Sequence, residues 1–416
     1  MKGFHAGDER ELADHERVTT GRGMGDAGRK CRKSSTGTLL ADSSGVVQVS
    51  GHAMTPAEAA RIRSGSQGLA PGGPTFPSAG AVVEHLGGMQ AQDFLQALWA
   101  LGSRLPEGAT ETQVEEAIAR RELVRTWPMR GTLHFVPTAD VHWMLELLTP
   151  RVIAGTGTRQ KQLELDASVF AKAEKVLLKA LRGGGMLSRE DMQATLDKAG
   201  ISTAGQRGYH ILWRLSSERL LCVGPRTGKS QTFVLLDEWV TAPRKLDRAA
   251  SIALLAERYF LSRGPASLAD FAAWSGLTMP DARAGLEAVK PKLAKDTLEG
   301  TEIWYSPDVA PPAAKKPQVR LVAGFDEMIL GYKDRSPSIT DPAHAAKIVP
   351  GGNGIFNPVM LVDGRVIGIW KRTIKKKSVE VQLQPFSPLS QTQRKAFAKE
   401  ADRYGAFLGL AASIAE

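Results

Sequence analysis

Two glutamines one residue apart, Gln90 and Gln92, stand in the stretch GGMQAQDF at residues 87–94. A glutamine amide is a poor acid and a poor base, but its carbonyl oxygen accepts hydrogen bonds and its NH2 group donates them. A pair can hold a water and fix the orientation of a reacting group. The same pair can equally cap a helix end or fill a buried amide network between helices. Other chemistries find less support. The eight histidines are scattered, and no HExxH, CxxC or GxSxG spacing occurs, so no metal site and no cofactor are expected. Asp93, Asp326 and Glu327 are carboxylates in compact mixed stretches, but residue type alone assigns them no reaction. GPRTGKS at 224–230 imitates a phosphate-binding loop; Val223 stands where that loop needs a glycine, and the stretch runs on into QTFVLL, which reads as a strand rather than a helix.

Cations and aromatics suited to nucleic acid fall in four places. Arg207, His210 and Arg214 recur at i, i+3 and i+7 on one helical face, a pattern that suits a DNA groove and equally a solvated surface. Arg125, Trp127, Arg130 and His134 decorate a hairpin whose tip is Arg130-Gly131, where the glycine permits close backbone approach. Trp127 and Phe135 fit packing on a core as well as they fit DNA. Lys371 and Arg372 open the densest basic run, KRTIKKK at 371–377; Arg335 adds a cation at 324–336.

The elements that must carry these residues follow a recurring order of short helices closed by two strands. In the first unit, AGAVVEHLGG, DFLQALWALGSRL and TETQVEEAIARREL read as helices, the last with a Thr110-x-x-Gln113 capping box. VRTW-PMRG-TLHFV then forms a hairpin. Glu111, Glu115 and Glu116 on the third helix would repel phosphates, which leaves DNA contact to the hairpin. A second unit runs through AKAEKVLLKALRGGG, SREDMQATLDKAG and AGQRGYHILWRLSSERL to a hairpin at LLCVG-PRTGKS-QTFVLL. A third runs through RAASIALLAERYFLSRG, SLADFAAWSGL and TMPDARAGLEAVK to LAKDTLEGTEIWYS. Three helices and a two-stranded wing make a winged helix. The expected fold is mainly α with β (α+β). It comprises a disordered extension at 1–53, winged-helix units at 54–160, 161–245 and 246–310, and a C-terminal β-containing lobe at 311–416. The lobe follows a Pro/Lys linker and ends in a helix near 390–411.

The chain has 416 residues and a formal net charge of +10, which favours an acidic partner. Its two cysteines, Cys31 and Cys222, build no disulfide framework, which points to a reducing compartment. No apolar run reaches the length of a membrane span. A cytoplasmic protein, nucleoid-associated when bound to DNA, is expected.

Four blocks in order, LGGMQAQD, VRTWPMRGTLHFV, GFDEMILGYKDRS and GIFNPVMLVDGRVIGIWKR, together resemble the tandem winged-helix DNA glycosylase superfamily, whose characterised branches are AlkZ and YcaQ. The resemblance covers most of residues 54–416. It implies three winged helices around a DNA channel with a β-containing lobe. It also implies a Gln-x-Gln/Asp catalytic motif, matched here by Gln90 and Gln92 on the AlkZ side, and a DNA-contacting hairpin at 123–136. Taking this hairpin together with the basic helix face and basic runs above, the expected DNA contacts are Arg125, Trp127, Arg130, Gly131, His134, Arg207, His210, Arg214, Arg335, Lys371 and Arg372. The activity implied is hydrolysis of the N-glycosidic bond of N7- or N3-alkylated purines, or of their crosslinks, in double-stranded DNA by a monomer. An alkylated purine is already cationic and leaves as a neutral base without a general acid; the sugar cation captures water readily. Glutamine carbonyls can hold that water and face the cation with their negative dipole ends. The motif holds no lysine to form a Schiff base, so strand cleavage is not expected. The alternatives are a non-catalytic winged-helix regulator, which would prefer one operator sequence, and a protein-binding scaffold, which would bind duplex DNA poorly even at low salt.

Overall fold

A computed structural model describes residues 39–41, 47–49, 53–71, 73–309, 317–352 and 354–415. The order helix, short strand, helix, helix, hairpin occurs three times. The first repeat comprises Ala79–Leu86, Met89–Gln90, Phe94–Gly102, Glu111–Ala119 and the hairpin Leu123–Met129/Thr132–Pro137. The second comprises Ala167–Leu181, Leu187–Ser188, Arg189–Lys198, Arg207–Ser217 and the hairpin Leu221–Thr227/Ser230–Leu235. The third has Arg248–Arg263, a bridge from Ala266 to Trp304, Leu268–Ser275, Met279–Val289 and the hairpin Ala294–Leu298/Thr301–Tyr305. The middle helix of each repeat starts on a side-chain cap: Asp93, Ser188 and Ser267 each accept the N–H three residues on. The expected Thr110–Gln113 capping box is present as well.

The lobe is a five-stranded sheet, Val319–Val322, Val359–Val362, Arg365–Ile374, Ser378–Pro385 and Ala411–Ala415, in chain order. The final pair is parallel because the helix Gln391–Leu408 carries the chain back across the sheet. That last strand and the helix Val141–Ala154 are elements the sequence reading missed. Phe397, Tyr404 and Phe407 of the lobe helix are buried with Trp99 and Trp370, so lobe and first repeat share one core.

The first two wings are not free, contrary to expectation. Arg125 pairs with Val223 and fuses both hairpins into a six-stranded sheet. Every residue of Leu123–Met129 is buried. Val124, Met129 and Val136 enter the core of the third repeat, whereas Trp127 and Leu133 enter that of the second. A strand covered on both faces needs its ionisable side chains paired internally; Arg125 and His134, which interrupt LVRTWPM and TLHFVP, are each hydrogen-bonded within the protein. GPRTGKS lies between paired strands with Gly228 and Lys229 at the turn, as a wing tip rather than a phosphate loop.

The disorder expected for 1–53 falls mostly outside the described residues, as does most of the linker at 309–318. Within the extension, however, Leu39–Ala41 and Val47–Val49 are strands. The second lies parallel to Ala294–Leu298, using the unpaired backbone groups of that hairpin edge.

Candidate active site

Gln90 and Gln92 lie in the link between the first and second helices of the first repeat. Gly87 ends the first helix in a left-handed conformation (φ 69°), and Gly88 follows at φ 153°. A Cβ on Gly88 would lie 3.1 Å from the flexible Met129 Cε, so it is the backbone conformation that favours glycine there. Gln90 pairs with His134, and Ala91 N–H donates to Leu133 O at 2.8 Å. Ala91 is fully buried. Asp93 is occupied in capping, accepting Gln96 N–H at 3.1 Å.

The two amides are not equivalent. Gln92 Oε1 accepts the Leu133 N–H at 3.2 Å, so its carbonyl is committed to the backbone. Gln90 is 8% exposed, and its Oε1 is buried without a hydrogen-bond partner among the described residues. Such an acceptor carries a desolvation cost unless a water or a ligand meets it.

Several expected DNA contacts instead build this bend. Arg125 is buried and donates to Ala91 O (2.9 Å) and Gln92 O (3.1 Å), pinning the motif from the hairpin below. Arg130 has φ 51° and Gly131 φ 76°, the left-handed pair of a tight hairpin turn. The Arg130 guanidinium is turned inward and donates to Trp274 O. His134 is fully buried; its Nδ1 lies 2.9 Å from Thr132 O, and Arg130 Nη2 approaches its Nε2 at 3.5 Å. Burial foremost, with the Arg130 charge second, pushes its pKa down to about 3. It is a neutral structural imidazole, not a DNA contact. The unfolded chain therefore binds the extra proton between pH 6.5 and about 3, so the stabilisation His134 gives is complete above 6.5 and is lost as pH falls towards 3. Replacing His134 with Gln is expected to flatten stability against pH by up to about 1.4 kcal/mol per pH unit in that window, read by urea denaturation. An unchanged slope would refute the assignment.

Trp127 is also corrected. It is 3% exposed, stacked on Phe233 at 6.5 Å and 10°, with Tyr209 at its edge. The basic face of the second repeat dissolves likewise. His210 is buried against Tyr209 and Trp213. Arg207 donates to Ser202 O and Glu164 O, and Arg214 pairs with Glu218 at 2.7 Å over the Phe170 ring. Nor do Glu111 and Glu115 stand free to repel phosphates; both face Arg226 of the second hairpin. Arg335 is partly buried, donates to Ile329 O at 2.8 Å and lies over Phe356. Lys371 is exposed, whereas Arg372 bonds Tyr404 Oη. The hairpin Arg365–Ile374/Ser378–Pro385 projects an exposed tip with Ile374 at 49% and Lys375, Lys376 and Lys377 around it.

The residues missed in the sequence come from 324–336 and the third repeat. Glu327, wholly buried, accepts the Gln90 N–H on Oε1 at 2.9 Å. Its Oε2 receives Arg263 Nη2 (2.8 Å) and Trp274 Nε1 (2.9 Å). Burial alone would raise this carboxyl, but the Arg263 guanidinium and further partners outweigh it and hold the pKa below the usual value. Arg263 also donates to Leu86 O (2.5 Å) and Gly88 O (2.7 Å). Beside it, Asp326 forms a buried two-pronged pair with Arg104, both bonds at 2.7 Å. The signal in the sequence was the pair of adjacent acids before an apolar run; their partners are too distant in the chain to be read. No cluster of metal-ligating side chains occurs among the described residues.

A sequence model of the family described as "DNA glycosylase AlkZ-like" matches residues 83–407. An interstrand DNA cross-link repair glycosylase of Streptomyces sahachiroi is 30% identical over 348 residues, spanning 79% of this chain and 90% of the relative. The chain belongs to the AlkZ-like DNA glycosylase family. It is a DNA-binding repair enzyme that hydrolyses N-glycosyl bonds, and the regulator alternative is not favoured. The solved Streptomyces sahachiroi DNA glycosylase AlkZ shares the fold, with a TM-score of 0.71 at 24% identity, covering 88% of this chain and 100% of that one. No helix among the described residues of this AlkZ-like chain is long and apolar enough to cross a membrane.

Proposed function

We propose that this AlkZ-like enzyme is a cytoplasmic, monomeric, monofunctional glycosylase that removes N7- or N3-alkylated purines, and crosslinks formed through them, from double-stranded DNA. The buried, unpartnered Oε1 of Gln90 carries the reading. It is an acceptor already stripped of solvent in a rigid bend, suited to hold the attacking water against the developing sugar cation. Gln92, its carbonyl taken by Leu133 N–H, turns its NH2 group to orientation of the substrate. Glu327, His134 and Asp93 border the bend, and none is placed to protonate a leaving base: Glu327 is held ionised, His134 is neutral with both ring nitrogens engaged, and Asp93 accepts the Gln96 N–H. Such a site favours a base that leaves unprotonated, which is what alkylation to a cation provides. The Streptomyces relative is an interstrand cross-link repair glycosylase, which supports extending the substrate to crosslinks.

Duplex contact is assigned to the lobe hairpin, where Lys371, Lys375, Lys376 and Lys377 meet phosphate and the exposed Ile374 faces the groove. The first hairpin is assigned support of the glutamines.

The test is base release from a duplex carrying N7-methylguanine. Free N7-methylguanine is expected, with strand breaks only after alkali. The variant Gln90→Ala/Gln92→Ala is expected to release none above background. Equal release by wild type and this variant would sink the assignment.

A further inference from the structure

We propose that Glu327 is a positioning residue for the glycosylase reaction, acting with Arg263 and Trp274 as a buried brace whose anionic end faces Gln90. The inference rests on the assignment of Gln90 to the reaction and adds a charge that the Gln-x-Gln motif lacks.

The brace joins distant parts of the chain. Glu327 is 237 residues from Gln90 and 64 from Arg263. Oε2 is saturated on one side by Arg263 Nε (3.1 Å), Arg263 Nη2 (2.8 Å) and Trp274 Nε1 (2.9 Å). Oε1 faces the other way and takes the Gln90 N–H at 2.9 Å. Arg263 reaches past Glu327 to the carbonyls of Leu86 and Gly88, which open the bend. One ion pair therefore fixes both the entry to the bend and the peptide plane of Gln90, and through that plane the direction of its side chain.

The other two repeats join this link to their hairpins without a carboxylate from the lobe. In the second repeat the short strand pairs with its own hairpin, Leu187 with Phe233 and Ser188 with Thr232. In the third, Ala266 exchanges both bonds with Trp304. In the first repeat Met89 and Gln90 also pair with their hairpin, yet a carboxylate is brought in from the lobe as well. A buried ion pair costs desolvation that its own attraction barely returns. Its orientation supplies a reason to retain it. With the guanidinium behind and the Oε1 edge on the Gln90 N–H, the pair is a fixed dipole whose negative end stabilises a cation formed beside that glutamine. In a water-excluded site such a dipole needs no reorganisation when the cation forms.

The experiment compares wild type, Glu327→Gln, Glu327→Asp, Leu177→Ala and Gln90→Ala/Gln92→Ala, all full-length. Single-turnover release of N7-methylguanine, affinity for the same duplex and thermal midpoint are measured on each. Glu327→Gln is expected to slow release about 100-fold while duplex affinity stays within about threefold. Leu177→Ala, in the core of the second repeat, is expected to lower the midpoint with release within about threefold. If Glu327→Gln does not fold, Glu327→Asp keeps the charge but draws it back from Gln90, and about a tenfold slower release at unchanged affinity is expected. Release that falls only in step with affinity or thermal midpoint, or a wild-type rate in the aspartate variant, would overturn the proposal. A silent Glu327→Gln beside an inactive glutamine double variant overturns the brace alone. A fully active double variant overturns the Gln90 assignment beneath it.

Discussion

Gln90→Ala is expected to lower the single-turnover rate of base release by about two to three orders of magnitude, the loss typical of removing one preorganised electrostatic group. It should do so without lowering thermal stability. Gln90 Oε1 is a buried acceptor with no partner among the described residues, so alanine removes an uncompensated desolvation cost along with the side chain. Gln92→Ala should behave differently. It strips the Leu133 N–H of its acceptor and should cost about 1 kcal/mol of stability in addition to activity. The pair of results distinguishes a functional amide from a structural one. If Gln90→Ala were destabilising by 1 kcal/mol or more and retained most of its activity, Gln90 would be a buried network residue and its role in catalysis would fail. Denaturant unfolding and single-turnover kinetics on the same preparations decide it.

Asp326→Ala should be the most destabilising of these substitutions, by about 3 to 5 kcal/mol in urea unfolding. Arg104 and Asp326 both have side chains at 0% exposure, joined by two bonds of 2.7 Å. Removing the carboxylate leaves a guanidinium buried with only carbonyl and amide oxygens of Gln67 and Ala100 to solvate it. The loss should reach the site, because Asp326 also caps the turn that presents Glu327, accepting the Met328 N–H at 2.8 Å. Replacing both members, Arg104→Met with Asp326→Leu, should recover much of the stability, since the pair is costly to bury and costlier to break. A single-variant cost below about 1 kcal/mol would mean that water reaches Arg104 and that the pair does not anchor the lobe.

What the sequence determined by itself was local or periodic. The Thr110-x-x-Gln113 capping box, the glycines that close helical runs and the hairpin turns placed the helices and wings of three repeats, because these signals act within a few residues. The rejection of GPRTGKS as a phosphate loop held for the same reason: the strand that follows was visible. Gln90 and Gln92 could be singled out because both lie in one short segment with a family pattern. What the tertiary structure decided was which side chains face outward. Arg125, Trp127 and His134 looked like a DNA-facing set, yet their hairpin is the hub between two cores, and Arg125 spends its donors on the glutamine backbone. Arg207, His210 and Arg214 share a helical face as expected, but that face is occupied by Ser202, Glu164, Glu218 and aromatic rings. Glu327 was visible as a residue and illegible as a partner, because hydrogen bonds across 237 positions leave no periodic trace. Spacing along the chain reports the neighbours a residue meets within its own element. Burial, charge pairing and the freedom of a donor depend on which elements pack together, and only the folded chain settles that.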